Sequence, residues 1–188
     1  MKNVTPKIVK ASPMVIRKAQ RGMSLVQAML VLVIGGIVLG AALNQYQSAE
    51  RNANIQKNTA DIMEIVANAK TNFGQYGYAG LTTPIAVGSG VIPARLQATT
   101  TTATVQEWGG TVTLVDNNAT TASTALLSIT AVPQAVCTQL VNSTHTAARQ
   151  VNVNAVAVKP LDGAVNVATL NTNCIAGAST TVTWTIGR

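Results

Sequence analysis

The sequence predicts an α+β protein in which one long N-terminal α-helix packs on a mostly antiparallel β-sheet formed by the C-terminal half. From Ser24 to Phe73 the chain has no proline, and its apolar residues recur at helical spacing. After residue 107, short segments rich in valine and threonine alternate in polarity, which is typical of half-buried strands. The third observation is the cysteine pair Cys137 and Cys174, which is expected to form one disulfide.

The first 22 residues are strongly basic. They contain six lysines and arginines and no acidic residue, whereas the rest of the chain has seven cations and six acids. The net charge of +7 therefore belongs almost entirely to this leader. A nucleic-acid-binding surface needs clustered cations, usually beside aromatic residues, and residues 23–188 offer neither.

An apolar segment follows from Met23 to Leu43. Its 21 residues carry no formal charge. At 1.5 Å per residue a helix of this length spans about 30 Å, the thickness of the hydrocarbon core of a bilayer. The basic residues before it predict a cytoplasmic N-terminus and export of the C-terminal part.

The helix is expected to continue through a polar stretch into an amphipathic half. Ile62, Val66, Ala69 and Phe73 recur at spacings of four, three and four residues, which places them on one face. The glycine-rich segment Gly74–Gly80 should end the helix. One helix from about Ser24 to about Phe73 is therefore predicted.

Residues 74–188 are predicted to form a connecting region followed by a sheet. Residues 74–107 are expected to form a loop with a short helix near Ile92–Gln97. The predicted sheet and disulfide region covers residues 108–188, and a further short helix is expected at Gln134–Ser143. Trp108 is expected to be a buried ring at the entrance of the first strand. The predicted strands are Thr111–Val115, Ala125–Val132, Val151–Val158 and Thr180–Ile186.

Cys137 and Cys174 are an even number in a small, charge-poor chain, for which a disulfide is the default interpretation. A metal site lacks histidine or acidic partners nearby. In the chain-entropy description, a bridge over this separation stabilises the fold by about 4 kcal/mol. It would join the helix of Cys137 to a loop before the final strand.

The titratable residues do not indicate an enzyme. The single histidine, His145, lies in a polar context and is expected at the surface, and the acids are scattered. Asp61 and Glu64, with Lys57, are expected to form a solvated helical face or to contribute to salt bridges between subunits. No catalytic triad, zinc-ligand spacing or phosphate loop is present in the sequence, so no catalytic residue, metal, cofactor or small-molecule substrate is expected.

The seam between leader and apolar segment resembles the type IV pilin family. The resemblance is carried by Arg21-Gly22, by Met23-Ser24-Leu25-Val26 and by the apolar run to Leu43. The long leader and the Met after Gly22 are similar to the type IVb branch. Three further segments resemble the PilS/bundlin group of major pilins: Glu107–Val115, Val132–Leu140 and Asn173–Ile186.

The resemblance implies that a prepilin peptidase cuts after Gly22 and methylates the new amine of Met23. It divides the chain into a removed leader (1–22), an apolar stem (23–43) and a globular pilin domain (44–188). Subunits would leave the inner membrane through separate assembly machinery and form a helical homo-oligomer, an extracellular pilus used for adhesion, aggregation or conjugation. The stem residues implied in assembly are Leu25, Val26 and Gln27. Gly35 and Gly36 either let neighbouring stems approach closely and so contribute to assembly, or reflect only how common glycine is in transmembrane helices.

Gln27 departs from the family pattern, in which a glutamate occupies the fifth mature position. That glutamate is expected to pair with the N-terminal amine of a neighbouring subunit. An amide retains the hydrogen-bonding capacity and loses the ionic attraction. Three explanations compete for the glutamine. It is a natural variant, it marks a minor pilin positioned by its neighbours, or it is an engineered substitution.

Three hypotheses of function follow. The first is a structural subunit of a type IVb pilus. The second is a minor pilin, or a pseudopilin like those of type II secretion, that initiates or caps a filament. The third is a membrane-anchored envelope protein that binds a partner and never polymerises.

Overall fold

Helix α1 dominates the N-terminal part of the protein, running from Leu25 to Phe73 over 49 residues. The computed structural model describes residues 25–117, 124–177 and 179–187. These belong to two units, one ending at Asn44 and the other beginning at Gln45. The helix predicted from about Ser24 to about Phe73 is confirmed over the described residues.

In the second unit, α1 buries one face against the rest of the domain. The buried residues of this face include Ile62, Val66 and Ala69 of the predicted stripe, whereas Phe73 is only half-buried. Ile55 and Ile65 extend the same face. The helix then tightens into one 3₁₀ turn, Gly74–Tyr76, and ends at Gly77, whose φ of 74° is a left-handed value that favours glycine.

The connecting region is more ordered than the sequence predicted. It contains a short helix, α2 (Thr83–Gly88), that begins with a proline in its first turn. A single 3₁₀ turn at Ala94–Leu96 occupies the place of the helix expected near Ile92–Gln97. The sheet starts at β1 (Ala103–Val105), before the boundary predicted at residue 108. A threonine-rich segment thus supplies an edge strand.

In the described part of the chain, six strands form one sheet in which every pairing is antiparallel. Its spatial order is β1-β2-β3-β6-β4-β5, so β6 lies between β3 and β4. The strands after β1 are β2 (Gly110–Asp116), β3 (Thr124–Pro133), β4 (Gln150–Val153), β5 (Val156–Lys159) and β6 (Ser179–Gly187). The long helix packed on an antiparallel sheet confirms the predicted fold class.

The strand predicted at Val151–Val158 is wrong as a single element. Asn154 and Ala155 have φ values of 51° and 67°, and the chain reverses there to form the β4–β5 hairpin. Two central residues with positive φ are the geometry of a type I′ turn. The Asn154 side chain also accepts from the backbone N–H of Thr181 and donates to the carbonyl of Asn173, at 3.0 and 3.2 Å. These contacts hold a turn that contains no glycine.

Two helices flank the sheet in the C-terminal region. Helix α3 (Gln134–Thr144) confirms the helix expected at Gln134–Ser143. Helix α4 (Val167–Ile175) was not predicted, and it places Cys174 on a helix and not in a loop. Asn166 caps α4 by accepting from the backbone N–H of Thr169, and Leu170 and Cys174 share its buried face.

The core lies between the inner face of the sheet, α3 and the second half of α1. Val182, Trp184 and Ile186 of β6 point into it and are fully buried, as the alternation predicted. The outer face is less open than expected, because Thr185 is 6% exposed. Trp108, expected to be a buried ring, is half-buried and packs at the margin of the core.

Candidate assembly surface

The first unit presents an apolar helix without a covering layer. Every Leu, Ile, Val and Met side chain between Leu25 and Leu43 is at least 54% exposed. Soluble monomers rarely expose contiguous apolar patches beyond a few hundred Å². This surface therefore requires lipid or another protein chain around it.

The same helix is the one described element that could cross a membrane. Its length and composition suffice to span a bilayer, and no residue of its most apolar stretch is buried within the protein. Since a helix satisfies its own backbone hydrogen bonds, it is stable in lipid without a partner. The apolar helix is thus compatible with a membrane before assembly and with packed protein afterwards.

The residues implied in assembly fall in two places. Gly22 and Met23, the implied cleavage and methylation positions, lie outside the described residues. Leu25, Val26 and Gln27 are exposed at the start of α1. A Cβ added at Gly35 or Gly36 would meet no atom within 4 Å, so packing within this chain does not require glycine at either position.

In the second unit, Arg95 fastens the connecting region to α1. Its guanidinium forms ion pairs with Asp61 of α1 and with Glu107, the latter at 2.6 Å. It also donates to the side-chain oxygen of Asn58 at 3.4 Å. The Asp61 and Glu107 side chains are only 13% and 16% exposed. Asp61, expected on a solvated face or in contacts between subunits, is therefore engaged inside its own chain.

A groove of about 400 Å³ lies beside the first turns of α1 in this unit. Its walls include Glu50 and Arg51 of α1, Trp108, and Ala135 of α3. The indole N–H of Trp108 and one carboxylate oxygen of Glu107 are buried there without a hydrogen-bond partner within the described residues. This groove was not predicted, because residues far apart in the sequence form it.

The disulfide between Cys137 and Cys174 is present and joins α3 to α4, with the two Cα atoms 5.7 Å apart. Both cysteines are fully buried. Because α3 and α4 lie in different parts of the chain, the bridge restrains the whole region from residue 137 to residue 174.

Two further contacts order the same region. Arg149 donates to both carboxylate oxygens of Asp162, with contacts of 2.5 to 3.2 Å. This hydrogen-bonded pairing lowers the pKa of the Asp162 carboxyl below its ordinary value and raises the pKa of Arg149. Lys159 is buried, and its ammonium group donates to the backbone carbonyls of His145 and Ala148.

The described residues contain no group of three His, Cys, Asp or Glu side chains placed to hold a metal ion. His145, expected at the surface, is half-buried at the end of α3, where its Nδ1 lies 2.8 Å from the carbonyl of Asn142. The contact thus joins the imidazole to a backbone carbonyl of the last turn of α3.

Known proteins are similar to this chain in sequence and in fold. A family described as PilS N terminal matches residues 52–187. The major structural subunit of bundle-forming pilus from Escherichia coli O127:H6 (strain E2348/69 / EPEC) is 26% identical over 125 residues, and the protein of that name from Escherichia coli O111:H- matches equally. The match covers 66% of this chain and 65% of each relative.

Solved structures also have a similar fold. The crystal structure of TcpA, a type IV pilin from Vibrio cholerae El Tor biotype, superposes with a TM-score of 0.51 at 14% identity. The superposition covers 71% of this chain and 98% of TcpA.

Proposed function

This chain belongs to the PilS family of type IV pilins, and we propose that it is a structural subunit of a type IVb pilus. In this proposal the precursor sits in the bacterial inner membrane, is cut after Gly22 and polymerises through the apolar part of α1 into an extracellular filament. The observation that carries the proposal is the uncovered apolar surface between Leu25 and Leu43. The relatives named for a bundle-forming pilus support it.

The driving force for assembly changes between the two environments. In the bilayer, lipid tails are as apolar as the stem, so exclusion of water contributes little to the association of stems. Close van der Waals packing between stems is the main driving force there. Outside the bilayer the same surface would face water, and the hydrophobic effect then holds the stems together at about 25 cal/mol per Å² of apolar area buried. The filament is therefore more stable outside the membrane than its separated subunits.

Removal of the leader makes this transfer possible. Six cations hold the N-terminus on the cytoplasmic side, and moving them through hydrocarbon is costly. A cut after Gly22 leaves an uncharged stem apart from the new amine of Met23, which the prepilin peptidase then methylates. Separate assembly machinery supplies the work of extraction.

Gln27 would serve as a neutral register contact. In the assembled stem its side-chain oxygen accepts a hydrogen bond from the amine of a neighbouring Met23. Such a contact is weaker than a buried ion pair. When it opens, it leaves the charge of the Met23 amine but no unpaired carboxylate in the apolar interior. The packing of Leu25 and Val26 and the close approach permitted at Gly35 and Gly36 would complete the interface.

The direct test is the variant Gly22→Val in the full chain. We expect an uncut precursor retained in the inner membrane, because the peptidase needs the small residue at the cut. Ala19→Val, in the same leader, is the matched control and should be processed normally. Intact mass of the wild-type filament subunit should show loss of residues 1–22, one added methyl group and two hydrogens fewer for the disulfide. A surface filament that retains residues 1–22 contradicts the proposal.

Gln27 favours a second candidate, a minor pilin or pseudopilin that initiates or caps a filament. Abundance separates the two roles, since a major subunit dominates sheared filaments and a minor one is scarce in them. Gln27→Glu adds a second readout, because markedly better assembly of this variant would identify glutamine as a handicap in a major subunit. Retention of residues 1–22 in the mature protein would favour the third hypothesis, a partner-binding envelope protein.

A further inference from the structure

The exposed face of α1 in the second unit carries three charges of alternating sign at intervals of seven residues: Glu50, Lys57 and Glu64. Seven residues make almost two complete turns, so these side chains lie along one side of the helix with a drift of about 20° per interval. All three are exposed. We call this row the charge ladder.

The charge ladder has no ion-pair partner within the part of the chain that the structure describes. The nearest acid that could compete for Lys57 is Asp61, one turn further along α1, and its carboxylate is paired with Arg95. Within one helix the ladder charges are about 10.5 Å apart, too far for direct contact with one another. Since the described residues supply no partner, water or a second chain is left to solvate or pair these charges.

A second row beside the ladder allows another helix to approach closely. Ala53, Ala60 and Ala67 are exposed and have the same seven-residue spacing. Small side chains on a helix surface permit interaxial distances near the lower end of the usual 8–10 Å range. The alanine row permits close approach and the charge ladder beside it supplies charged groups, so this face can pack against a parallel helix.

We propose that the charge ladder binds the ladder of a second copy of this chain, displaced along the helix axis by seven residues. At this displacement Glu50 of one copy faces Lys57 of the next, and Lys57 faces Glu64, so two opposite-charge pairs form. With no displacement, every ladder charge faces the same residue of the other copy and is repelled by it. With a displacement of fourteen residues, Glu50 of one copy faces Glu64 of the other, and these two negative charges also repel. The pattern therefore selects a stagger of about 10.5 Å between parallel neighbours.

The proposal rests on the proposed function, since only a filament of parallel subunits brings identical helices together in this way. A displaced contact between copies is heterologous, and its repetition generates a filament and not a closed pair. Exposed ion pairs add little affinity singly, but complementary charge fixes register. The ladder would thus set the axial stagger, while the stem supplies the cohesion.

Cross-linking tests the stagger without altering the ladder. Cysteines are placed in the alanine row as Ala53→Cys with Ala60→Cys, in the full chain, and sheared filaments are treated with a short bismaleimide. We expect intersubunit cross-links at least about tenfold above those of either single variant, because the stagger brings position 53 of one copy beside position 60 of the next. Ala53→Cys with Ala67→Cys is the matched control and should stay at the background level.

Charge reversal tests the pairing itself. Lys57→Glu makes the ladder uniformly negative and should lower the yield of sheared filaments at least about fivefold, while mature subunit accumulates in the membrane. The exchange Glu50→Lys with Lys57→Glu and Glu64→Lys restores alternation and should restore the yield. Arg51→Glu has the same change of charge one position off the ladder and should assemble normally.

The outcomes separate this inference from the proposed function. Filaments that form but cross-link through single cysteines, or through positions 53 and 67, overturn the seven-residue stagger alone. Normal assembly of Lys57→Glu, or no recovery in the triple exchange despite normal amounts of mature subunit, overturns the charge pairing. Failure of the wild-type chain to form filaments at all overturns the proposed function.

Discussion

The indole nitrogen of Trp184 donates a 2.9 Å hydrogen bond to the hydroxyl of Thr144, and both side chains are fully buried. The same hydroxyl donates to the carbonyl of Leu140 at 2.7 Å. This chain of bonds connects the centre of the sheet to the last turn of α3, and it satisfies the one polar atom of a large buried ring.

The first prediction concerns this bond. Thr144→Val preserves the shape of the side chain and leaves the indole N–H of Trp184 buried without an acceptor. We expect the free energy of unfolding to fall by about 1–3 kcal/mol. Urea unfolding of the full chain in detergent measures it. Ser143→Ala is the control, because Ser143 makes a similar bond to the carbonyl of Gln139 at an exposed position, and an unchanged midpoint for Thr144→Val would contradict the argument.

The second prediction concerns the Arg95 pairing. Arg95→Met retains the apolar stem of the side chain and leaves Asp61 and Glu107, both mostly buried, without their cation. We expect a loss of about 2 kcal/mol in unfolding free energy, together with faster proteolysis within residues 94–107. Arg149→Met is the comparison. Its pair with Asp162 is more exposed, so its effect should be smaller, and the reverse order would refute the assignment.

The third prediction is a pH dependence located at Asp162. Its folded pKa is lower than its ordinary value of about 3.9, so the pairing with Arg149 contributes stability above that value. The contribution is lost as the pH falls through the folded pKa. Asp162→Asn should therefore lower stability near neutral pH and should differ less from the wild type at pH 2. Unfolding midpoints from pH 2 to 7 provide the test, and parallel curves would contradict it.

Asparagine is a suitable replacement for Asp162 because the backbone there has a φ of 55°. Asn and Asp both tolerate this left-handed region, so the variant changes charge without imposing new backbone strain. A flat pH response in the variant combined with a sloping one in the wild type would assign the dependence to this carboxyl.

The fourth prediction concerns Gly110, the first residue of β2. A Cβ at this position would overlap the carbonyl oxygen of Thr130 on the neighbouring strand and would lie 2.7 Å from the indole nitrogen of Trp108. Gly110→Ala should therefore cost more than about 2 kcal/mol or prevent accumulation of folded protein. Gly88→Ala, where the added Cβ meets no atom within 4 Å, is the matched control and should fold normally.

The parts of the fold that periodicity specifies were predictable from the sequence. Periodic patterns arise because buried and exposed positions recur at a fixed spacing. Examples are the helical stripe of Ile62, Val66 and Ala69 and the alternation through Val182 and Trp184 in the last strand. Such patterns extend over several residues, so one exception does not hide them. They fixed the long helix, the final strand and the fold class.

The missed features depend on single positions or on distant contacts. The hairpin turn at Asn154 and Ala155 lacks glycine and is held by Thr181 and Asn173, which no local pattern indicates. Helix α4 is rich in asparagine and threonine, which have low helix propensity, and tertiary packing of Leu170 and Cys174 overrides it. The pairing of Arg95 with Asp61 spans 34 positions and could not be read from the sequence.

The position of β6 between β3 and β4 has a consequence for biogenesis. On the proposed route of export the chain would cross the membrane in order, and the strand that both halves of the sheet need would emerge after all the others described here. Until residues 179–187 arrive, β3 and β4 would each lack one backbone partner, and the unpaired strand edges would leave the polypeptide open to aggregation and proteolysis. Translocation of β6 would therefore act as a checkpoint that withholds chains without this strand from the growing fibre.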